Sequence, residues 1–447
     1  MKKRRPQGPN ESARRRSASR RPSTPPLLVR IEKPIYGGAF LARVEGKAIF
    51  TPLTLPGEQA RVRTIDDHTG WANAELEELV AASPERVVPA CPHFGPCGGC
   101  HYQQAGYEAQ LAIKQAVLRE TFERAGIAPP AEIAVVAGHP WAYRNRIRLA
   151  LDSAGNIGYR GRRSHAVIPI RECPIAAPLL IQAAFAAASY FRRFPFAQRP
   201  SELSLFCDAA ESTLLVTAIL ANPAKPQVED FARALAPLVP ALAGVEFTSE
   251  GLAGRQPHTA AHWGSTSLIY RAGGIDYRVD HGAFFQVNRR LVDSLVNCVM
   301  ASHRGPLAWD LFAGVGLFAR QLASRFQQVI AVESAPAALP ALRANLAGTA
   351  ATAVQATTLD FLLQNRASPR PDLIVVDPPR TGLGGEVSAL LAEVSAQALV
   401  YVSCDPATLA RDLGVLLASG YAVESLTLAD LFPQTFHIES VVQLRRA

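Results

Sequence analysis

Three of the chain's seven cysteines fall inside one ten-residue stretch, "CPHFGPCGGC" (91–100). Cys91, Cys97 and Cys100 are separated by five and then two residues, and Gly95, Gly98 and Gly99 permit the tight backbone that lets nearby thiolates converge on one centre. Four cysteines remain, Cys173, Cys207, Cys298 and Cys404, and of these Cys173, in "RECPI", shares with Cys91 a following proline. Zinc sites usually take two short cysteine pairs, and the second pair is missing here. A four-thiolate iron–sulfur cluster tolerates one distant ligand better. The spacing favours a cluster over zinc, and buried thiols that hold nothing stay open as a third reading.

A second group of residues suits transfer chemistry. In "WDLFAGVGLFA" (309–319), Gly314 and Gly316 come directly after a strand-like run, where a side chain would block the approach of a cofactor. The third glycine of a dinucleotide fingerprint is replaced by Ala319. The next strand-like run ends in Glu333, placed to accept hydrogen bonds from ribose hydroxyls, and Asp360 is a candidate partner for an adenine amino group. This acidic strand, glycine turn and Glu resemble motif I of class I methyltransferases, which implies S-adenosylmethionine rather than NAD. "VVDPPRTGLG" (375–384) then carries Asp377 and two prolines, with Arg380 where amino-methylating enzymes of this fold commonly place an aromatic.

"YVSCDPATLARD" (401–412) puts Cys404 just beyond a strand and before a helical stretch, whose N-terminal dipole predicts a stabilised thiolate. A thiolate is wanted where carbon 5 of uracil must become nucleophilic: addition at carbon 6 makes an enolate whose carbon 5 can accept a methyl group. A base must then remove the carbon 5 proton, and "LFPQTFHIESVVQL" (431–444) offers Glu439, with His437 as the rival.

These residues require elements to hold them. Strand-like runs at 307–312, 328–333, 372–377 and 398–403 alternate with helical stretches at 316–325, 335–347 and 405–418, which predicts a parallel sheet covered on both faces. Residues 27–80 alternate apolar and polar positions between glycine turns, as in a small five-stranded barrel. Between them, "YRNRIRLALDSAGNIGYRGRRSHAVIPI" (143–170) reads as strands exposing a cationic face, with Arg144, Arg146, Arg148, Arg160, Arg162 and Arg163 able to neutralise phosphates.

Composition narrows the class. A chain of 447 residues exceeds one ordinary core. No apolar run is long enough to span a bilayer and the N-terminus has no apolar leader, so a cytoplasmic protein without membrane contact is expected. Residues 1–26 hold nine Lys or Arg against Glu11 and account for the whole formal charge of +8. They are expected to be a disordered basic tail.

Taken together, the cysteine set, "FFQVN" (284–288), "DLFAGVG", "DPPR", "SCDPATLARD" and "FPQTFHIE" resemble the RNA 5-methyluridine methyltransferases of the TrmA/RumA family, in the branch that carries a cluster and an N-terminal TRAM domain, over residues 28–447. The resemblance implies an α/β fold: a class I, Rossmann-like methyltransferase domain at 281–447, a central α/β RNA-binding domain at 86–280 and an OB-like TRAM β-barrel at 27–85. A helix at about 105–126 is expected to pack on the catalytic domain. It further implies Cys404 as nucleophile, Glu439 as proton acceptor, and Gln286, Phe312, Gly314, Gly316, Glu333, Asp360 and Asp377 around S-adenosylmethionine. Cys91, Cys97, Cys100 and Cys173 would hold a [4Fe-4S] cluster. The implied partner is RNA, a 23S ribosomal loop before tRNA and not DNA, and the implied state is a monomer. Leu317 and Gln434 depart from the family pattern, which often has Asn or Thr and His there. A 5-methylcytidine enzyme is disfavoured because no "PC" accompanies "DPPR"; a non-catalytic RNA-binding protein is disfavoured by the Cys404/Glu439 pair.

Overall fold

The computed structural model describes residues 25–195, 198–221, 225–249, 258–366 and 368–446, so the basic tail expected at 1–26 lies almost wholly outside the described residues. The first five strands, β1 (Leu27–Pro34), β2 (Ala39–Val44), β3 (Lys47–Pro52), β4 (Gln59–Asp67) and β5 (Trp71–Ala81), form a closed barrel in the order β1-β2-β3-β5-β4. Its interior is filled by Val29, Ile31, Phe40, Ile49 and Val62. Two glycines with left-handed backbone, Gly37 and Gly38, turn the chain between β1 and β2.

Helix α1 (Tyr107–Arg124) and the short strand β6 (Ala134–Val136) follow the cysteine loop. Val117, Leu118 and Phe122 of α1, with Ile133 just before β6, are buried in the same cluster as the C-terminal sheet. Helix α1 thus packs on the C-terminal layer, as expected of a helix at about 105–126, and β6 joins the edge of its sheet.

The central sheet contains β7 (Arg146–Leu151), β8 (Ile157–Arg160) and β9 (Val167–Pro169), then β10 (Glu202–Cys207), β11 (Leu214–Leu220), β12 (Leu242–Ser249) and β13 (Thr259–Gly264). Their order is β13-β12-β11-β10-β7-β8-β9, and helices α2 (Pro178–Phe191) and α3 (Lys225–Leu235) share one core with it. A hairpin of β14 (Ser267–Ala272) and β15 (Ile275–Asp280) leads to "FFQVN".

After α4 (Val292–Met300) the chain alternates strand and helix. First come β16 (Gly305–Leu311), α5 (Leu317–Leu322), β17 (Phe326–Glu333), α6 (Leu339–Leu346), β18 (Ala351–Gln355) and α7 (Thr358–Gln364). Next are β19 (Leu373–Val376), α8 (Gly384–Val394), β20 (Ala398–Ser403), α9 (Pro406–Ala418), β21 (Tyr421–Ala429) and β22 (Glu439–Arg446). The sheet runs β18-β17-β16-β19-β20-β22-β21-β6, with β16 to β20 parallel and β22 antiparallel to β20. Strand order reverses at β16, which opens a crevice beyond the carboxyl ends of β16 and β19. No described helix is long and apolar enough to cross a membrane.

The loop between β21 and β22 carries "FPQTFHI" and is held by side chains rather than by a ladder. Lys114 Nζ on α1 donates to Asp430 Oδ1 (2.5 Å) and to the Phe432 carbonyl (2.9 Å), while Tyr107 Oη donates to Asp430 Oδ2 (2.9 Å). Lys114 and Asp430 are both buried. Removing one partner of such a pair leaves the other charge stranded, so Lys114→Met should destabilise the protein by about 3–5 kcal/mol in denaturant unfolding, and adding Asp430→Asn should recover part of that loss.

Candidate active site

The crevice is lined first by the segment leaving β16. Phe312 has a left-handed φ of 67°, and Gly314, with φ 56°, donates its N–H to Glu333 Oε2 at 2.8 Å. A Cβ on Gly314 would meet nothing within 4 Å, so open space faces it, as a cofactor-facing glycine requires. Gly316 differs: a Cβ there would lie 2.9 Å from Leu342, and its φ of 90° caps α5. Its role is helix packing rather than the ligand clearance read from sequence.

Around this turn stand carboxyls without a full set of partners. Asp310 is pushed up to about 8 by burial, against the hydrogen bond its Oδ2 accepts from Ala319 N (2.7 Å) and with Asp377 and Glu333 adding to the rise. Its Oδ1 is buried and unpartnered. Asp377 is pushed up to about 7 by burial, and Gln286 Nε2 reaches its Oδ2 at 3.4 Å. Asp360 lies at the first turn of α7, where its carboxylate accepts from Thr357 Oγ1 at 2.6 Å. An acidic, open-sided pocket of this kind suits a cationic ligand.

Cys404 and Glu439 come from neighbouring strands. Ser403 of β20 pairs with Ser440 of β22, so the next step of that antiparallel ladder sets Cys404 opposite Glu439. Glu439 is held well above the usual carboxylate range by burial and by Asp377, with Arg380 opposing. His437 is pushed down to about 3 by burial and by Arg380, whose Nη2 lies 3.3 Å from both ring nitrogens. A neutral imidazole so unwilling to protonate is the weaker base of the two.

The expectation of a stabilised Cys404 thiolate is overturned. Burial pushes the thiol up to about 12, with Glu439, Asp377 and Asp405 adding to the rise and only Arg380 working against it. The helix terminus is already used: Asp405 caps α9, its Oδ1 accepting from Ala407 N and Thr408 N at 3.0 Å each. The anion at the dipole is the neighbour's carboxylate, and it penalises a second one.

Tyr36 and Gln110 escaped the sequence reading. Tyr36, from the barrel, donates its hydroxyl to the Cys404 carbonyl at 3.3 Å. Gln434 exchanges side-chain hydrogen bonds with Gln110, accepting from Nε2 at 3.0 Å and donating its backbone N–H to Oε1 at 2.9 Å. The departure at 434 thus has its own buried partner. The Leu317 side chain is buried in the core behind the crevice, and its carbonyl accepts from Tyr277 Oη at 3.0 Å. Spacing gave no signal for Tyr36, since its contact spans 368 residues.

Cys91, Cys97, Cys100 and Cys173 line one cavity of about 220 Å³, together with Arg144 and His437. Burial raises the thiols of Cys91, Cys97 and Cys100, the last to about 12, and Cys173 adds to each rise. Gly99 N donates to Cys97 Sγ (3.4 Å), and Tyr159 Oη lies 3.6 Å from Cys173 Sγ. Among the described residues no three side chains converge closely enough to hold a single metal ion. The four thiols share that cavity without converging on one point.

The three arginines expected at RNA do not act alike. Arg144 turns to the cysteine cavity, Arg146 lies 4.0 Å over the Phe206 ring and donates to the Ala283 carbonyl, and Arg148 is exposed and paired with Glu202. Arg146 and Arg148 share a groove, and Arg148 also lines a second cavity with Arg160, Arg162 and Arg163.

A family model described as tRNA (Uracil-5-)-methyltransferase matches residues 367–447. Along most of its length the chain is 34% identical to a Streptomyces avermitilis protein named as an uncharacterized RNA methyltransferase, covering 92% of this chain and 96% of that one. It is 32% identical to the Chromohalobacter salexigens 23S rRNA (uracil(1939)-C(5))-methyltransferase RlmD, covering 100% and 95% of the two chains. The crystal structure of Pyrococcus abyssi tRNA (uracil-54, C5)-methyltransferase with S-adenosyl-L-homocysteine matches with a TM-score of 0.75 at 24% identity, over 94% of this chain and 100% of that one, a likeness of fold.

With the thiol held high, iodoacetamide should alkylate Cys404 in the free protein at a rate that climbs close to tenfold per pH unit between about pH 7 and pH 9. Peptide mapping would measure it, and a plateau inside that window would mean a depressed thiol instead.

Proposed function

The chain belongs to the RNA uracil-5 methyltransferases of the TrmA/RumA family, and from that membership we propose that it methylates carbon 5 of one uridine in 23S ribosomal RNA through a bond between Cys404 and carbon 6. The observation that carries the reading is the facing of Cys404 and Glu439 across the end of the β20/β22 ladder. Relatives named as 23S rRNA enzymes match 100% and 92% of this chain, which supports the ribosomal substrate. The tRNA alternative rests on the family description for residues 367–447.

S-adenosylmethionine, when bound, supplies the methyl group as an electrophile. Gln286, Phe312, Gly314, Glu333, Asp360 and Asp377 would hold it, and the crowding of Asp310, Glu333 and Asp377 supports a ligand with a positive charge. Cys404 Sγ gives its proton to water and bonds carbon 6, and the electron pair displaced from the 5,6 double bond comes to rest on oxygen 4. Carbon 5 takes the methyl group, Glu439 removes the carbon 5 proton, and the returning pair expels the sulfur. A uridine in a duplex buries carbons 5 and 6, so the base must leave its stack.

Cys91, Cys97, Cys100 and Cys173 would hold a [4Fe-4S] cluster; no step of the reaction needs it. Anaerobically purified protein should contain about four irons and four sulfides per chain, lost in Cys97→Ser with S-adenosylmethionine affinity kept. One zinc per chain would replace the cluster reading with the zinc one.

Cys404→Ala should abolish methyl transfer to unmodified total RNA while retaining cofactor binding, and Glu439→Gln should trap a protease-sensitive RNA adduct on a denaturing gel. Turnover by the first variant would remove the nucleophile. Mapping the product by nuclease digestion and mass spectrometry separates a 23S site from a tRNA site.

A further inference from the structure

One donor at the reactive edge comes from a distant unit. Tyr36 stands in the turn between β1 and β2 of the barrel, and its hydroxyl donates to the Cys404 carbonyl at 3.3 Å across 368 positions of sequence. Among the described residues no other side chain donates to that carbonyl.

The carbonyl needs a partner from outside its own elements. Cys404 lies between the last rung of the β20/β22 ladder, Ser403 with Ser440, and Asp405, the N-cap of α9. A carbonyl one residue before the cap falls outside the helical ladder, whose first acceptor is the cap residue itself. The chain on either side is tied down locally. Asp405 N donates to Ser403 Oγ at 3.2 Å, that hydroxyl donates back to the Asp405 carbonyl at 3.0 Å, and the Asp405 carboxylate holds the first turn of α9. The Cys404 carbonyl is the point in this stretch that the barrel holds.

Tyr36 is delivered there with little freedom. Ile35 N donates to the Ala39 carbonyl at 3.0 Å and closes the turn, and the Tyr36 ring stands edge-on to Phe436. Gly38 has a left-handed φ of 88°, and a Cβ on it would lie 3.1 Å from the His101 ring and 3.2 Å from Phe436, so glycine lets the turn sit this close. The hydroxyl also keeps its proton. Burial and Asp405 hold Tyr36 well above the usual phenol range, against Arg380, so it remains a donor through the neutral range.

We propose that Tyr36 is a positioning residue for the nucleophile: its hydroxyl fixes the Cys404 carbonyl so that the thiol is aimed at carbon 6 of the bound uridine, and attack depends on the barrel being seated. The role rests on the covalent reading above and adds the group that orients the sulfur. Sulfur and carbonyl hang from one Cα, so holding the carbonyl against the ladder leaves the Cα–Cβ bond a single direction. Attack needs reacting atoms about 3–3.5 Å apart and aligned, and a loosened Cα is read out as rate.

The test follows the covalent step alone. Transcripts of 23S rRNA and of tRNA are made with 5-fluorouridine in place of uridine; after methyl transfer Glu439 finds no proton on carbon 5 to remove, and the adduct with Cys404 persists. With S-adenosylmethionine present, wild type should give a protease-sensitive adduct with one transcript, and none with either would sink the covalent reading and the role of Tyr36 with it. Given that adduct, Tyr36→Phe, which keeps the ring on Phe436, should form it roughly fivefold more slowly at saturating RNA, the worth of one net hydrogen bond. The RNA concentration for half-maximal rate, the cofactor affinity and the melting temperature should not move. Gly38→Ala, which pushes the turn off His101 and Phe436 with the hydroxyl present, should slow the same step, and the double variant should be little slower than Gly38→Ala alone because both changes cut one link. An unchanged rate in Tyr36→Phe would overturn the assignment, as would fully additive losses in the pair. So would a slower rate that comes with weaker RNA or cofactor binding or a lower melting temperature, since the hydroxyl would then serve only the general hold of the barrel.

Discussion

The reactive edge depends on a charge buried where no water reaches it. Lys114 gives up hydration on α1, and desolvation lowers its affinity for a proton; Asp430 beside it opposes that loss without cancelling it and gains a counter-ion. A pair of this kind adds little net stability over apolar packing, yet it fixes geometry, because neither partner can move without exposing the other. What it fixes is the loop from Asp430 to Ile438. Tyr143 Oη bonds the Pro433 carbonyl (3.0 Å), Asn288 Nδ2 the Leu431 carbonyl (3.1 Å), and Gln110 meets Gln434. Anchors from α1, from the segment before β7 and from the segment before α4 therefore agree on where β22 begins, and β22 begins with Glu439.

The same crowding of charge that prepares the crevice restrains the nucleophile. Asp310, Asp377 and Glu439 are all pushed toward the neutral form by burial, and Arg380 opposes the rise at Glu439 and at Cys404. A cationic ligand relieves the acids. Cys404 feels the same acids with the opposite consequence: a thiolate would be a further negative charge among them. A thiol kept protonated beside an electrophilic methyl donor is protected from being alkylated itself, so restraint in the free protein is compatible with nucleophilicity once a base and a proton acceptor are in place.

The sequence carried the alternating strand and helix pattern of the C-terminal region because strands buried on both faces, such as "LIVV" of β19, leave an unmistakable apolar run. The barrel was legible from period-two alternation between glycine turns. The placement of α1 was expected on the C-terminal layer, but β6 was not, since three residues carry no period. Cys404 and Glu439 were legible as chemistry, whereas the protonation of Cys404 was not. That state depends on Glu439 and Asp377, which lie near it only after folding, and on Asp405, whose neighbouring carboxylate could be read from sequence but whose use of the helix terminus could not. Arg144, Arg146 and Arg148 illustrate the converse: alternation predicted one face, and tertiary packing drew Arg144 to the cysteine cavity and Arg146 onto Phe206.

Tyr36 explains why a barrel more than three hundred residues away in sequence belongs to the reactive site. Its hydroxyl meets the carbonyl of Cys404, and its ring stands edge-on to Phe436 at 5.6 Å. Lys33 of β1 reaches Glu120 of α1, so the barrel is tied to the same helix that supplies Lys114. The Gly37–Gly38 turn next to Tyr36 closes against His101 of the cysteine loop. Barrel, cysteine loop and α1 thus meet the strands that carry Cys404 and Glu439 through short, mutually dependent contacts, and displacing the barrel would release a hydrogen bond at Cys404 itself. The barrel and the cysteine loop form part of the wall around Cys404.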